Sequence, residues 1–520
     1  MAEPSREAFR RVHLLALAVV GVALPWSLAL ISIGQLLLVG NWFVEGFVRR
    51  DLGQRLKHAF TWGPSLVFIS LLGLHGLGLL WTEDLSWGLD LCRILLPVLA
   101  FGAILAASPR LAKEELRGIL LLGAWSTLLS TLACLVLSGG AAPGDYRGLS
   151  HFISHIRLAL LLCMSVFVLV AYMPRQWKGR ALHLAGIVWT LVFMGLLGSV
   201  LALVILAVAG VVVLFRHGQR WYPPVRYIAL GVAALSVVTL VAWMTGVVRP
   251  VLRAQEPELG ALPERSAGGE PYYHDRERPQ VENGHPVWVC VADSELTRGW
   301  ARLSEVPLTE NDARGHPMRT TLIRYLASLG QNKDSVGLLA LEPRDVQRIE
   351  KGVPSVKLPV RGSYRTRLEE IAYELDQYRR TGDPSGHSLP MRLEFWRTGW
   401  HILKRHPITG VGTGDTQLAF NLAYVELGSH LTPEWRLRAH DQYLTWAISF
   451  GVLGGLWCLF AWLWPAWRLG AFGYPLFLAW LVAFTISCFT DDTVETQVGA
   501  TFFAYFYALF VFARPLPEGN

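Results

Sequence analysis

The amino-acid sequence predicts an all-α, polytopic membrane protein of about twelve transmembrane helices that carries one large, mainly helical loop domain. Three observations predict it. The 520 residues are 52% hydrophobic but only 17% charged, with a mean hydropathy of +0.36, whereas soluble domains carry about 25% charged residues. Apolar runs of near-bilayer length recur toward both ends of the chain, and a spanning helix needs about 17–25 such residues. Residues 250–440 differ from the rest, being polar and rich in charge. They divide the chain into an N-terminal membrane part (1–249), a loop domain (250–440) and a C-terminal membrane part (441–520).

Spans are expected at 12–29, 31–48, 62–81, 88–107, 118–138 and 153–173, and then at 181–197, 199–215 and 226–246. The C-terminal part supplies 441–463, 472–489 and 497–513. Basic residues precede the first run, as in a signal peptide. Apolar character then persists to Val48, which predicts two close-spaced, uncleaved helices. Arg49, Arg50, Arg55 and Lys57 share one connecting loop, and Arg110, Lys113 and Arg117 a second. Arg175, Lys178 and Arg180 share a third, and Arg216, Arg220 and Arg226 a fourth. The alternate loops, such as WTEDLSW at 81–87 and DDTVET at 491–496, hold almost no Lys or Arg. Basic loops stay cytoplasmic, so both termini are expected inside and residues 250–440 outside. The net charge of +7 is therefore a topology signal. Membrane lipids are expected partners and nucleic acid is not. Cys92, Cys134, Cys163, Cys458 and Cys488 lie in apolar runs, leaving Cys290 alone in the loop. No internal disulfide and no zinc spacing is expected from that distribution.

The loop domain begins with PELGALPERSAGGEPYYHDRERP, whose Pro, Gly and charge predict an irregular entry. In SYRTRLEEIAYELDQYRRTG, Leu368, Ile371, Ala372, Leu375 and Tyr378 recur at helical spacing. In MRLEFWRTGWHILKRHP, Leu393, Trp396, Trp400 and Leu403 form a second stripe, ended by Pro407. These stripes predict helices lying on the membrane face. No repeat of solenoid or inverted-repeat type is evident.

Several residues are candidates for chemistry. Arg392 and Arg397 open an amphipathic helix, and GVGTG follows its terminating proline. GVGTG lacks the Lys-Ser/Thr ending of a P-loop, although exposed backbone N–H groups of this kind can cradle an anion. On their own, composition favours reading the arginines as snorkelling or solvated side chains and the glycines as turns of the chain. Arg157, in SHFISHIRLALLL, stands at the end of a span, where an ionisable group is expensive unless paired or functional. His440 lies between Arg438 and Asp441 at the polar entry of a run that stays apolar to Trp464. His151 and His155 are four apart, a metal-pair spacing on a helix, but no third ligand is evident. No metal is expected, and His155 reads instead as a hydrogen-bonding contact for sugar or headgroup.

Read together, these pieces carry a resemblance. An R-x-x-x-W helix, then P-x-x-G-x-G-x-G, then about two dozen residues, A-H-D-Q-Y-L and S-F-G-V-L-G occupy roughly 390–460. The order resembles the O-antigen ligase family, bacterial membrane enzymes that include O-antigen ligases, certain O-antigen polymerases and protein O-oligosaccharyltransferases. DDTVETQVGATFFAYF and TTLIRYLASLGQNKDSVGLLAL are also similar to members from Bacteroidetes-type bacteria. The helix count and the single large loop extend the likeness along the chain.

The resemblance implies a GT-C-like, inverting, metal-independent glycosyltransferase without cofactors, acting at the periplasmic face of the inner membrane. Its donor would be an undecaprenyl-diphosphate-linked glycan and its acceptor lipid A–core, with a growing glycan or a protein hydroxyl as alternatives. Arginine binds phosphate in a bidentate way, so Arg157, Arg392 and Arg438 are the expected diphosphate contacts. Arg397 and Arg324 follow, the latter matched only through the loop segment. His440 fits a general base for the acceptor hydroxyl, with Asp441 beside it, and Trp396 or Trp400 would stack on a sugar ring. Two departures stand out. Asp441 replaces the usual Asn, and Ser199-Val200 stands where many members carry Ser-Arg. A transporter of lipid-linked sugars is the alternative of another class. It would show broken helices in repeated halves and would not require a histidine base beside a large loop domain.

Overall fold

The structure, a computed structural model, describes residues 3–138, 146–218, 222–252, 260–277, 280–357 and 364–515. The apolar runs expected as spans are mainly helical, the first of them interrupted at 24–27. The N-terminal part comprises α1 (Glu3–Ala23), α2 (Leu28–Arg49), α3 (Leu52–Thr61), α4 (Gly63–Gly78), α5 (Leu85–Ile94) and α6 (Leu96–Ala107). It continues with α7 (Lys113–Leu137), α8 (His155–Ala171), α9 (Trp177–Leu196), α10 (Val200–His217) and α11 (Pro223–Leu252). The large loop holds the two-residue strands β1 (Val281–Glu282) and β2 (His285–Pro286) and the helices α12 (Asp293–Trp300) and α13 (Met318–Ser328). Next come α14 (Ser335–Leu339), α15 (Pro343–Glu350), α16 (Tyr364–Thr381), α17 (Ser388–Arg405) and α18 (Thr416–Glu426). The chain ends with α19 (Gln442–Arg468), α20 (Pro475–Cys488) and α21 (Gln497–Ala508).

The protein is an all-α polytopic membrane protein, with 72% of the described residues helical. Among the described residues, eight helical stretches are long and apolar enough to cross a membrane. They are α2, α4 extended to Trp81, α5 with α6, α7, α9, α10, α11 and α19, while α8, α20 and the α21 stretch are shorter apolar helices. Two details differ from the sequence expectation. The basic stretch after Arg50 folds into α3, whose Arg55 pairs with Glu45 and Asp51 at 2.7 Å each. The 88–107 run is split at Leu95 into α5 and α6, because Pro97 in the first turn of α6 lacks the N–H that a continuous helix needs there.

Helix α21 is buried along its whole length and forms the post of the bundle, as expected for a helix that is apolar all round. A buried tyrosine needs a partner for its hydroxyl. Tyr505 finds Leu17 O of α1 at 2.9 Å and Tyr507 finds Trp462 O of α19 at 2.7 Å. At one face of the bundle, Arg10 donates to Pro109 O and Arg110 O, Leu111 N to Ala513 O, and Arg514 to Leu469 O. The turn 489–496, which leads into α21, lies at the other face together with the large loop.

The loop has a core of its own around Val287, Trp300, Leu322, Tyr325, Leu326 and Ile349. Helix α16 runs along α11, whose 30 residues span about 45 Å and so exceed a hydrocarbon core of about 30 Å. Helices α17 and α18 pack on the first turns of α19 through Phe395, Ile402, Phe420, Tyr424, Leu444 and Ile448.

Helix α19 is broken at Gly451, where φ is 72° and ψ is 177°. The break lies roughly 14 Å along the helix from Gln442. Residues 407–414 enter it from the loop. Val411 N and Gly412 N donate to Ile448 O and Ser449 O at 2.9 and 3.0 Å, and Val452 N donates to Pro407 O at 2.9 Å. Irregular backbone at membrane depth is tolerated only where its polar groups are satisfied inside the protein or line a cavity, and here the two segments satisfy each other. Thr413 N reaches Gly78 O at 3.4 Å and Gly414 N reaches Thr82 Oγ1 at 3.2 Å. The GVGTG amides therefore hold α4 and α19 together and are engaged within the fold, as the reading of these glycines as turns implies. A Cβ at Gly410 would lie 2.3 Å from Ser449 C, and one at Gly451 would lie 2.1 Å from Ile408 O. Gly451→Ala is expected to destabilise the protein by roughly 2–5 kcal/mol through backbone strain and overpacking. The thermal midpoint of the solubilised protein checks this, and an unchanged midpoint contradicts it.

Candidate active site

The turn 489–496 collects the polar groups of the loop-side face. It is built rigidly. Thr445 Oγ1 donates to Asp492 Oδ1 at 2.8 Å, Val494 N donates to Gln442 Oε1 at 2.9 Å, and Thr496 caps α21 through Gly499 N at 3.2 Å. The first turn of α19 and the start of α21 thus hold it from two sides.

Asp491 is its hub. Arg157, from the first turn of α8, donates Nη1 to Asp491 Oδ2 and Nε to Thr496 Oγ1 at 3.3 Å. The Arg157 side chain is only 5% exposed, so the charge sits at the membrane face with its partner in place. On the other oxygen, His440 Nδ1 stands 3.4 Å from Asp491 Oδ1. Burial opposes ionisation of Asp491, but His440 and Arg157 outweigh it and hold the carboxyl well below the usual carboxylate range. His440 has φ of 45°, a left-handed conformation uncommon outside glycine. Its ring lies 5.6 Å from that of Phe395 and its side chain is 36% exposed, so a ligand can reach it. With Nδ1 turned to Asp491, Nε2 is left to accept a proton.

Arg392 projects from α17 to the same turn and donates Nε and Nη2 to Thr490 O at 3.3 and 3.1 Å. Arg438, two residues before His440, pairs with Glu495 and lies over the Trp87 ring at 5.2 Å. Burial pushes the Glu495 carboxyl up against the pull of Arg438, with Asp492 adding to the rise. Arg157, Arg392 and the Arg438–His440 segment come from three places far apart in the sequence, and the fold brings all four side chains to residues 490–496.

Other candidates fall elsewhere. Asp441 turns its Oδ1 to Leu444 N at 2.9 Å and caps α19. Burial pushes its carboxyl up against that amide. Asn caps a helix as well as Asp does, which accounts for the departure from the usual residue, and the carboxylate that faces His440 comes from Asp491. Ser199 caps α10 by accepting from Ala202 N at 3.3 Å. Arg397 is exposed, 3.6 Å from Glu394, and its five-residue offset from Arg392 points it to a different side of α17. Trp396 is half-buried with its indole nitrogen unpartnered. His155 begins α8, and His151 is hydrogen-bonded to Ser138 at 2.9 Å.

Arg324 belongs to the loop core. Its Nε and Nη2 both reach Glu282 Oε2, at 3.0 and 2.9 Å, and its guanidinium lies 4.7 Å over the Tyr373 ring. Glu282 is buried, and removing one member of a buried pair strands the other. Arg324→Ala is expected to destabilise the loop unit by about 3–5 kcal/mol. Faster proteolysis within 260–357 would show it, and an unchanged cleavage rate contradicts it.

Sequence reasoning missed Asp491 and Glu495. Both lie in DDTVET, legible as a loop poor in basic residues and as part of the resemblance, but nothing local shows that each faces an arginine.

Residues 360–459 match the family model described as O-antigen ligase. Over these residues the chain is similar to the O-antigen ligase family. A comparison with curated proteins finds no match. The matched segment carries α17, the 407–414 insertion, Arg392, Arg438 and His440. O-antigen ligase family proteins are membrane glycosyltransferases of ligase or polymerase type, with lipid-linked glycans and lipid acceptors as their general substrates. Arg157 and the 490–496 turn lie outside the matched residues and reach the site only through the fold.

Proposed function

We propose that the protein is an inverting, metal-independent glycosyltransferase that moves a glycan from undecaprenyl diphosphate to lipid A–core at the periplasmic face of the inner membrane. The observation that carries this reading is the meeting of Arg157, Arg392, Arg438 and His440 at the 490–496 turn. The acceptor hydroxyl gives its proton to His440 Nε2 as its oxygen attacks the anomeric carbon. The bond from that carbon to the diphosphate oxygen breaks, and the electron pair leaves with the polyprenyl diphosphate. Guanidinium groups aimed at the departing anion favour the transition state more than the ground state. Asp491 positions the imidazole and favours the imidazolium that forms. Arg438 and Arg157 exchange part of their carboxylate pairing for diphosphate as the donor enters.

The test is transfer in vitro from a polyprenyl-diphosphate glycan to lipid A–core by the purified full chain. Arg392→Ala is expected to lower kcat/KM by about 10²-fold, the loss typical of one charged contact to a developing anion. Full transfer by Arg392→Ala removes it from the donor site. A wild type that transfers to no acceptor overturns the reading.

A further inference from the structure

Beside the 490–496 turn, α5 opens a groove of about 580 Å³ lined by Asp84, Ser86, Trp87, Leu89, Asp90 and Arg93. Ser86, Asp90 and Arg93 fall at i, i+4 and i+7 on one stripe of the helix. Asp90 and Arg93 form an exposed pair at 2.8 Å inside a stretch long and apolar enough to span the membrane. An ionisable pair there is expensive and marks a functional site by default.

The groove is preorganised. Asp84 N donates to Asp415 Oδ1 at 2.8 Å, and Asp84 Oδ1 accepts from Trp87 N at 2.9 Å. The loop insertion and the helix cap together fix where Trp87 begins. Trp87 is 40% exposed and carries the Arg438 guanidinium at 5.2 Å, so the groove wall is one contact away from the arginine that leads to His440.

We infer that this groove is a saccharide subsite, holding a sugar ring next to the bond being made. Its chemistry separates a sugar from a diphosphate. Two carboxylates and a serine hydroxyl accept hydrogen bonds from sugar hydroxyls, and Arg93 donates to ring and hydroxyl oxygens. The Trp87 face takes the C–H side of a pyranose, and Leu89 adds an apolar contact to the lining. Asp84 and Asp90 repel a free diphosphate, which the arginines on the other side of Trp87 suit better. The sugar comes either from the donor glycan or from the acceptor. This deepens the proposed function and rests on it for the reaction, while binding itself is tested without transfer.

The experiment uses the full chain in nanodiscs with Ser86→Cys, labelled by a polar maleimide, and the wild type as the background from native thiols. The ligands are a polyprenyl-diphosphate glycan, lipid A–core, sugar-free polyprenyl diphosphate and inorganic diphosphate. At least one of the two sugar-bearing ligands is expected to slow labelling by about tenfold at saturation, as occupancy dictates. The two sugar-free ligands are expected to leave the rate unchanged. Trp87→Ala in the same background abolishes the protection and Trp87→Phe retains it. Protection by the glycan donor assigns the groove to the donor, and protection by lipid A–core assigns it to the acceptor. No protection by either sugar-bearing ligand overturns the inference, as does equal protection by sugar-free polyprenyl diphosphate. Protection by a sugar in a protein that transfers nothing leaves the subsite standing and removes the reaction.

Discussion

His440→Ala is expected to lower glycan transfer by about 10²–10⁴-fold, the range for loss of a general base, with the protein folded and its donor still bound. The reasons are geometric. His440 is reachable by ligand, its Nδ1 faces Asp491 at 3.4 Å, and the helix start next to it is fixed by the Asp441 cap. Asp441→Asn keeps that cap and is the control for helix position. The measurement is single-turnover transfer at saturating donor, which separates chemistry from binding. Retention of full transfer by His440→Ala contradicts the assignment of the base.

Arg157→Ala is expected to destabilise the protein by about 3–5 kcal/mol, the cost of stranding a buried carboxylate. Asp491 is held below its ordinary value by His440 and Arg157. A depressed acid stabilises the fold fully above its unfolded pKa of about 4 and loses that contribution as pH falls through the folded value. The deficit of Arg157→Ala is therefore expected at neutral pH and is expected to shrink as falling pH neutralises the stranded Asp491 of the variant. Thermal midpoints of wild type and variant, each alone and with Asp491→Asn, check it. The second substitution should recover part of the loss, because the stranded charge is gone. Equal midpoints for wild type and Arg157→Ala contradict the account.

The membrane helices were legible in the sequence because their signal is local: an apolar run of bilayer length must be helical to satisfy its own backbone. What was not legible depends on contacts between distant residues. The break at Gly451 exists because Val411 and Gly412, some 40 residues earlier, replace the missing helix bonds, and an isolated glycine in an apolar run does not announce this. The residue types of Arg157, Arg392, Arg438 and His440 were readable, yet their partners were not. Asp491 meets Arg157 across a sequence separation of 334 residues and His440 across 51. Arg324 misled for the opposite reason. An arginine in a polar helix looks the same whether it waits for phosphate or completes a buried pair with Glu282. The Asp441 departure looked chemical and is explained by helix capping.

The most direct test of the central claim is a structure of the full chain with polyprenyl diphosphate bound. The account predicts the diphosphate at the 490–496 turn, with oxygens about 3 Å from the guanidinium groups of Arg157, Arg392 and Arg438 and His440 facing the anomeric position. A diphosphate bound away from these residues, with the Arg157–Asp491 and Arg438–Glu495 pairs unchanged, would contradict it.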